Sequence, residues 1–123
     1  RYGSSAASDV YKRQEESLEK QTKILSDLRD RYQNVTISDK GKVFNTELLE
    51  AIELEYLLDM SDTTVASALH RKESRGAHSR VDHVERDDKN WLKHSFAFKN
   101  GDSVKLEYKD VELGNYEPKE RKY

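Results

Sequence analysis

The chain has 123 residues, of which 34% are hydrophobic and 37% are charged, with a formal net charge of −2 and no cysteine. This length suits one small domain and is too short for a dinucleotide-binding domain joined to a substrate domain. The absence of cysteine excludes disulfides and thiolate zinc sites, and the interspersed charges of both signs predict no nucleic-acid surface. Because apolar residues are scarce, we expect a thin core, or one completed from outside this chain.

The amino-terminal segment, residues 1–14, is predicted to be non-native. Its run SSAASDVYKRQ, residues 4–14, resembles the translation of an adapter used in preparing sequencing libraries. We therefore set these residues aside from the fold and expect the native polypeptide to be cut at its front end. The remaining chain carries about −4, since the segment holds Arg1, Lys12, Arg13 and Asp9.

Two helices are predicted after this segment. The first spans residues 15–33, where Leu18, Leu25, Leu28 and Tyr32 fall on one stripe, as in a bundle helix or, alternatively, a short coiled-coil seam. The second spans about residues 46–72, begins at a cap on Asn45 or Thr46, and is apolar on more sides than one partner helix can cover. The cluster of residues 61–64 either loosens this second helix or caps it again.

The stretch from Arg71 to His94, RKESRGAHSRVDHVERDDKNWLKH, concentrates charge of both signs around Gly76. Gly76 is predicted to end the second helix or a following turn. His70, His78, His83 and His94 match no paired metal-ligand spacing, so we expect no metal site. The arginines could cradle a dicarboxylate or a phosphate, but neighbouring Asp and Glu residues favour an interdomain network of ion pairs and hydrogen bonds. Its candidate bracing residues are Arg75, His78 and Arg80.

The carboxy-terminal part changes to a period of two. Alternating apolar residues on either side of Asn100-Gly101 predict a β-hairpin. The tail from Val111 to Tyr123 is predicted to be extended. The expected organisation is therefore a helical part over residues 15–94 and a hairpin with tail over residues 95–123.

Several blocks in the same order resemble one protein family. RKESRGAHSR, RDD and WLKH, preceded by VFNTELLEAIELE and followed by LEYKDVELGNYEPKERKY, are similar to the carboxy-terminal region of the succinate dehydrogenase and fumarate reductase flavoprotein subunit. The resemblance runs from about Leu18 to Tyr123. L-aspartate oxidase shares a related ESRG-type segment and is the alternative enzyme family, whereas a free-standing helical interaction module is the alternative outside enzymes.

The resemblance implies a mainly α fold, in which an incomplete three-helix, spectrin-repeat-like bundle precedes the hairpin and tail. It also implies a parent enzyme that interconverts succinate and fumarate at FAD. The implied partners are the flavin and capping domains of the same chain, an iron–sulfur subunit and membrane anchor subunits. The implied location is the cytoplasmic face of the inner membrane. The family's catalytic and flavin-binding groups lie outside this sequence, so we expect no catalytic, cofactor-binding or metal-binding residue here.

Overall fold

The computed structural model describes residues 13–119, so the predictions for residues 1–12 and 120–123 lie outside the described residues. Helix α1 spans Glu15–Tyr32. Its start is fixed by the backbone N–H of Gln14, which donates to Ser17 Oγ at 3.2 Å. Acidic residues in its first turn and basic residues in its last turn complement the helix dipole. Leu18 and Leu25 provide its buried stripe, as the spacing predicts.

Helix α2 spans Thr46–His70 without a break. Asn45 caps it, because its side chain accepts a hydrogen bond of 2.9 Å from the Leu48 N–H. The hydroxyls of Thr63 and Thr64 donate to the carbonyl oxygen of Met60, so this polar cluster adds bonds to the helix and does not interrupt it. The sequence left this point open, and the structure settles it in favour of one continuous helix.

The two helices pack antiparallel. The hydroxyl of Tyr32, at the end of α1, donates to the Ala51 carbonyl, whereas Arg29 reaches Asp59 and Asp62, about two and three turns further along α2. The described core is thin, as the composition predicts, and its buried apolar members are Leu18, Leu25, Leu58 and Ala68. The opposite face of α2 stays open, with Leu49, Tyr56, Leu57 and Met60 between 55% and 66% exposed. The upstream third helix that would cover it remains a prediction.

A two-stranded antiparallel hairpin follows the short helix α3, Asp88–Trp91. Strand β1 spans Lys93–Asn100 and strand β2 spans Ser103–Asp110, paired from Lys93↔Asp110 to Asn100↔Ser103. Gly101, at φ 59°, lies in the two-residue turn, as a tight hairpin requires. The predicted order of helices followed by a hairpin is confirmed. The strand begins at Lys93, two residues before the predicted start of the hairpin region.

The inner face of the hairpin packs on α2. Lys99 and Ser95 point towards the helix side, where Lys99 Nζ reaches Asp62 and Ser95 Oγ accepts from Arg71. Trp91 and Tyr108 meet edge to face, with 5.6 Å between ring centroids. These contacts hold the hairpin against the end of α2, and residues 71–92 form the connection between the two.

Candidate bracing site

The carboxylate of Glu73 is the centre of the charged stretch and has no exposed surface. Its Oε1 accepts hydrogen bonds from Arg71 Nη1 at 2.6 Å and Arg75 Nε at 2.9 Å. Its Oε2 accepts from Arg75 Nη2 at 3.1 Å and from the Asp87 N–H at 3.0 Å. Burial alone would raise the pKa of Glu73, but the bonds from Arg75, Asp87 and Arg71 outweigh it and lower the pKa. A buried charge is thus fully paired.

Arg75 connects this centre to the short helix α3. Besides Glu73, its guanidinium donates to Asp88 Oδ1 at 2.5 Å, and Arg86 donates to the other oxygen of Asp88 at 2.7 Å. The bond with Glu73 is the main reason that the pKa of Arg75 is raised. The sequence predicted Arg75 to be a bracing residue in an interdomain network of ion pairs and hydrogen bonds. In the structure it binds two carboxylates of its own chain, and 27% of its side chain stays exposed.

Arg80 caps the carboxyl end of α2. Its Nη1 donates to the carbonyl oxygens of Ala68 and Leu69, at 3.0 and 3.1 Å, and its side chain has no exposed surface. Helix-end carbonyls lack partners within the helix, and a cation there also opposes the negative end of the dipole. Asp82 neutralises the guanidinium through two bonds of 2.6 and 2.7 Å. The bonds from Arg80 also hold the pKa of Asp82 well below its ordinary value.

His78 lies across a tight turn from Arg75. The backbone groups of these two residues exchange both hydrogen bonds, and Gly76 takes φ 58° between them. Gly76 therefore shapes a turn after α2 and does not end the helix itself. His78 Nε2 donates to the Arg71 carbonyl at 3.1 Å, which leaves Nδ1 to accept from Arg13 Nη1 at 3.2 Å. Burial lowers the pKa of His78, and the charges of Arg13, Arg80 and Arg71 lower it further.

Arg71 was not among the predicted site residues, yet it ties the stretch to the hairpin. Its guanidinium donates to the carbonyls of Trp91 and Lys93, at 2.9 and 2.7 Å, and to Ser95 Oγ at 2.8 Å. It also lies 5.3 Å from the centre of the Trp91 ring. The sequence contains one signal for this role. Arg71 directly follows α2, so its long side chain can reach an element that packs against the end of that helix.

A second charged cluster, also missed from the sequence, joins α1, α2 and β1. Arg29 donates to Asp59 at 2.9 Å and to Asp62 at 2.5 Å, and Lys99 Nζ lies 2.7 Å from Asp62. Burial would raise the pKa of Asp62, but its bonds with Lys99 and Arg29 lower it. The sequence signal that could have indicated this cluster is the position of Arg29, which lies four residues after the buried Leu25 on the same helix face.

The carboxyl end of the predicted non-native segment takes part in the site. The Arg13 carbonyl accepts from the Val81 N–H at 2.8 Å, and Arg13 also reaches His78. Gln14 precedes α1 and bonds to Ser17. These two residues belong to the contacts of the folded chain, whereas the assignment of residues 1–14 to a non-native segment stays a prediction.

Metal and flavin binding find little support in the described residues. One group of potential ligands, Glu15, Asp82 and His83, brings its ligand atoms within 4.8 Å of one another, but Arg80 already occupies both oxygens of Asp82. A dinucleotide cradle needs a strand, a glycine-rich turn and a helix in a parallel unit. Over residues 13–119 the sheet is an antiparallel hairpin, so these residues do not fit FAD. No helix in that range is both long enough and apolar enough to span a bilayer.

Comparisons with known proteins identify the family. The family model described as "Fumarate reductase flavoprotein C-term" matches residues 8–123. The fumarate reductase flavoprotein subunit of Haemophilus influenzae is 42% identical over 112 residues, which cover 90% of this chain and 19% of that protein. The mitochondrial succinate dehydrogenase [ubiquinone] flavoprotein subunit of Oryza sativa subsp. japonica is 41% identical, with 90% and 19% coverage.

A solved structure agrees with the sequence relatives. A variant of Escherichia coli quinol fumarate reductase superposes with a TM-score of 0.86 at 40% identity, covering 94% of this chain and 21% of that one. The chain therefore spans about a fifth of the length of the relatives that it matches. The family match starts at residue 8, inside the segment that the sequence assigns to an adapter. The chain belongs to the fumarate reductase and succinate dehydrogenase flavoprotein family and corresponds to the carboxy-terminal domain of its members.

Proposed function

We propose that the whole protein is an FAD-dependent oxidoreductase that interconverts succinate and fumarate, and that this domain braces its flavin and capping domains. The support for the reaction is membership of a family whose relatives are named fumarate reductase and succinate dehydrogenase flavoprotein subunits. FAD would supply the hydride chemistry from the domains outside this chain. The residues of this chain contribute structure to that enzyme and no step of the reaction.

The observation that supports bracing is that the arginine side chains already donate hydrogen bonds within the chain. Arg71, Arg75 and Arg80 each donate to carboxylates or carbonyls of their own chain. A dicarboxylate site needs cationic donors directed at the substrate, whereas these donors hold residues 71–92 in one conformation. The partly exposed edge of the network, at Arg75, Arg86 and Asp88, then offers a rigid polar surface to a neighbouring domain.

The proposed partners outside the chain follow from the same family membership. They are an iron–sulfur subunit that receives electrons from the flavin and membrane anchor subunits that bring them to quinone. The enzyme would then lie on the cytoplasmic face of the inner membrane, held there by its partner subunits. A solved relative is described as a quinol-fumarate reductase with menaquinol molecules, which accords with an assembly of this kind.

Arg75→Ala in the full-length enzyme tests the bracing role. The substitution removes the partner that gives Glu73 two of its hydrogen bonds, so we expect a loss of about 2–4 kcal/mol in unfolding free energy. Flavin content should fall with stability, while the pH profile of the remaining turnover should keep its shape. Arg31→Ala, at an exposed arginine on α1, is the matched control.

Three results would change these assignments. Normal stability and flavin content with a much raised KM for succinate would place Arg75 in substrate binding. Oxidation of L-aspartate without oxidation of succinate would move the parent enzyme to the L-aspartate oxidase group. A full-length protein that binds no flavin would leave the domain as a helical interaction module.

A further inference from the structure

The loop before α2 and the first two residues of that helix, residues 38–47 together, are held rigid by their own hydrogen bonds. The carboxylate of Glu47 accepts from the backbone N–H groups of Ser38 and Asp39, both at 2.9 Å. Asp39 Oδ1 accepts from the Gly41 N–H at 2.7 Å, and Asn45 Nδ2 donates to the carbonyls of Asp39 and Gly41, both at 3.0 Å. The conformation of the loop is therefore fixed without any partner.

This rigid loop presents two apolar side chains to solvent. Val43 is 76% exposed and Phe44 is 95% exposed. Phe44 also takes φ 51°, a left-handed conformation that costs energy in a bulky residue. Next to it, the exposed side chains of Leu48, Leu49 and Ile52 line a shallow cleft of about 390 Å³. A ring that is almost fully exposed, on a backbone with positive φ, contributes little packing to the described residues.

We propose that Val43 and Phe44 form a docking knob that enters an apolar pocket in another part of the same flavoprotein. The knob rests on the proposed function, because it needs the remainder of the parent chain. Among the charged groups of this segment, Lys42 lines the cleft beside Phe44, whereas Lys40 donates to the Ile37 carbonyl and the carboxylates of Asp39 and Glu47 accept from backbone N–H groups. The receiving pocket should therefore carry a carboxylate at the part of its rim that faces Lys42.

The size of the knob favours a pocket in the same polypeptide. Specific complexes between separate proteins bury about 800 Å² on each partner. Two side chains and a shallow cleft offer much less, but a tethered partner is present at a high effective concentration. A small preorganised contact can therefore hold two domains of one chain together.

Phe44→Asn separates docking from folding, because asparagine tolerates the left-handed backbone and lacks the ring. In the 123-residue chain, we expect Tm to stay within about 3 °C of the parent value or to rise. In the full-length flavoprotein, hydrogen exchange should show strong protection of residues 42–48 relative to the isolated chain. Phe44→Asn should lower that protection about 30-fold, as expected for loss of a buried aromatic anchor.

Two further variants test specificity. Lys42→Glu should also lower protection of residues 42–48 in the full-length protein, and added salt should reduce the difference. Tyr116→Asn removes a ring that is 83% exposed in the tail and should leave protection of residues 42–48 unchanged. Equal losses from Tyr116→Asn and Phe44→Asn would overturn the proposal.

Other outcomes are equally decisive. Exchange at residues 42–48 that is the same in the full-length protein and the isolated chain would refute docking within the polypeptide. Protection in the isolated chain that rises with concentration would assign the knob to a second copy. Flavin binding and succinate oxidation, measured on the same full-length preparation, report on the proposed function separately. Loss of those activities with retained, Phe44-dependent protection would reject the function and keep the knob.

Discussion

Glu73→Gln is the most informative substitution in the charged stretch, because it keeps the shape of the side chain and removes its charge. Glutamine has one oxygen and one NH2 group, whereas Glu73 accepts four hydrogen bonds with two oxygens. Whichever way the amide turns, its NH2 group faces two donors. Arg71 and Arg75 also lose the buried counter-charge that both share.

The expected cost is about 3 kcal/mol of unfolding free energy. Removing one partner of a buried ion pair costs about 3–5 kcal/mol. The lower end applies here because the side chains of Arg71 and Arg75 remain 15% and 27% exposed and keep other acceptors. Urea unfolding followed by circular dichroism measures this loss, with an osmolyte added if the domain is marginal.

Glu107→Gln is the matched control. Glu107 pairs with Lys105 at 2.8 Å on the outer face of the hairpin, where both side chains are more than half exposed. We expect that substitution to cost no more than about 0.5 kcal/mol. If Glu73→Gln lost no more than this control, the idea that a buried carboxylate organises residues 71–92 would have to be abandoned.

The pH dependence gives an independent check. The pKa of Glu73 is lowered in the folded chain, so the unfolded chain binds the proton first as pH falls. The stabilisation by Glu73 is therefore complete above the unfolded pKa of about 4.3 and is lost as pH falls through the folded pKa. Glu73→Gln should flatten this part of the acid unfolding curve. Asp62, Asp82 and Asp88, whose pKa values are also lowered, contribute to the remaining slope.

Two further predictions concern the amino-terminal boundary and His78. Deleting residues 1–12 should leave Tm unchanged, whereas deleting residues 1–14 should lower Tm by several degrees. The difference is expected because Arg13 contacts Val81 and His78, and Gln14 contacts Ser17. Equal Tm values for the two deletions would mean that these contacts contribute nothing to stability. Because the pKa of His78 is lowered, stability should decline as pH falls below about 6.5, where the unfolded imidazole takes up its proton. His78→Gln should reduce that decline in calorimetric scans, and an unchanged decline would trace it to another group.

The amino-acid sequence by itself determined the local elements and the family. Apolar spacing located α1 and α2, a cap on Asn45 or Thr46 marked the start of α2, and alternation around Asn100-Gly101 located the hairpin. For each element, the residues that form the signal lie close together in the sequence, so the element can be inferred from its own segment. The blocks from VFNTELLEAIELE to the tail were specific enough to indicate the family, which the comparisons confirmed.

Only the tertiary structure decided which charges pair and which are buried. Residues 71–88 contain several cations and several carboxylates, and many pairings are compatible with their order along the chain. In the fold Glu73 is the buried centre, because Arg71, Arg75 and the Asp87 N–H converge on it, and Arg80 caps α2, because the last carbonyls of that helix lie within its reach. Arg29, Asp62 and Lys99 meet across 33 and 37 residues of sequence. Contacts between residues so far apart in sequence depend on how the helices and the hairpin pack, and local sequence patterns do not determine that packing.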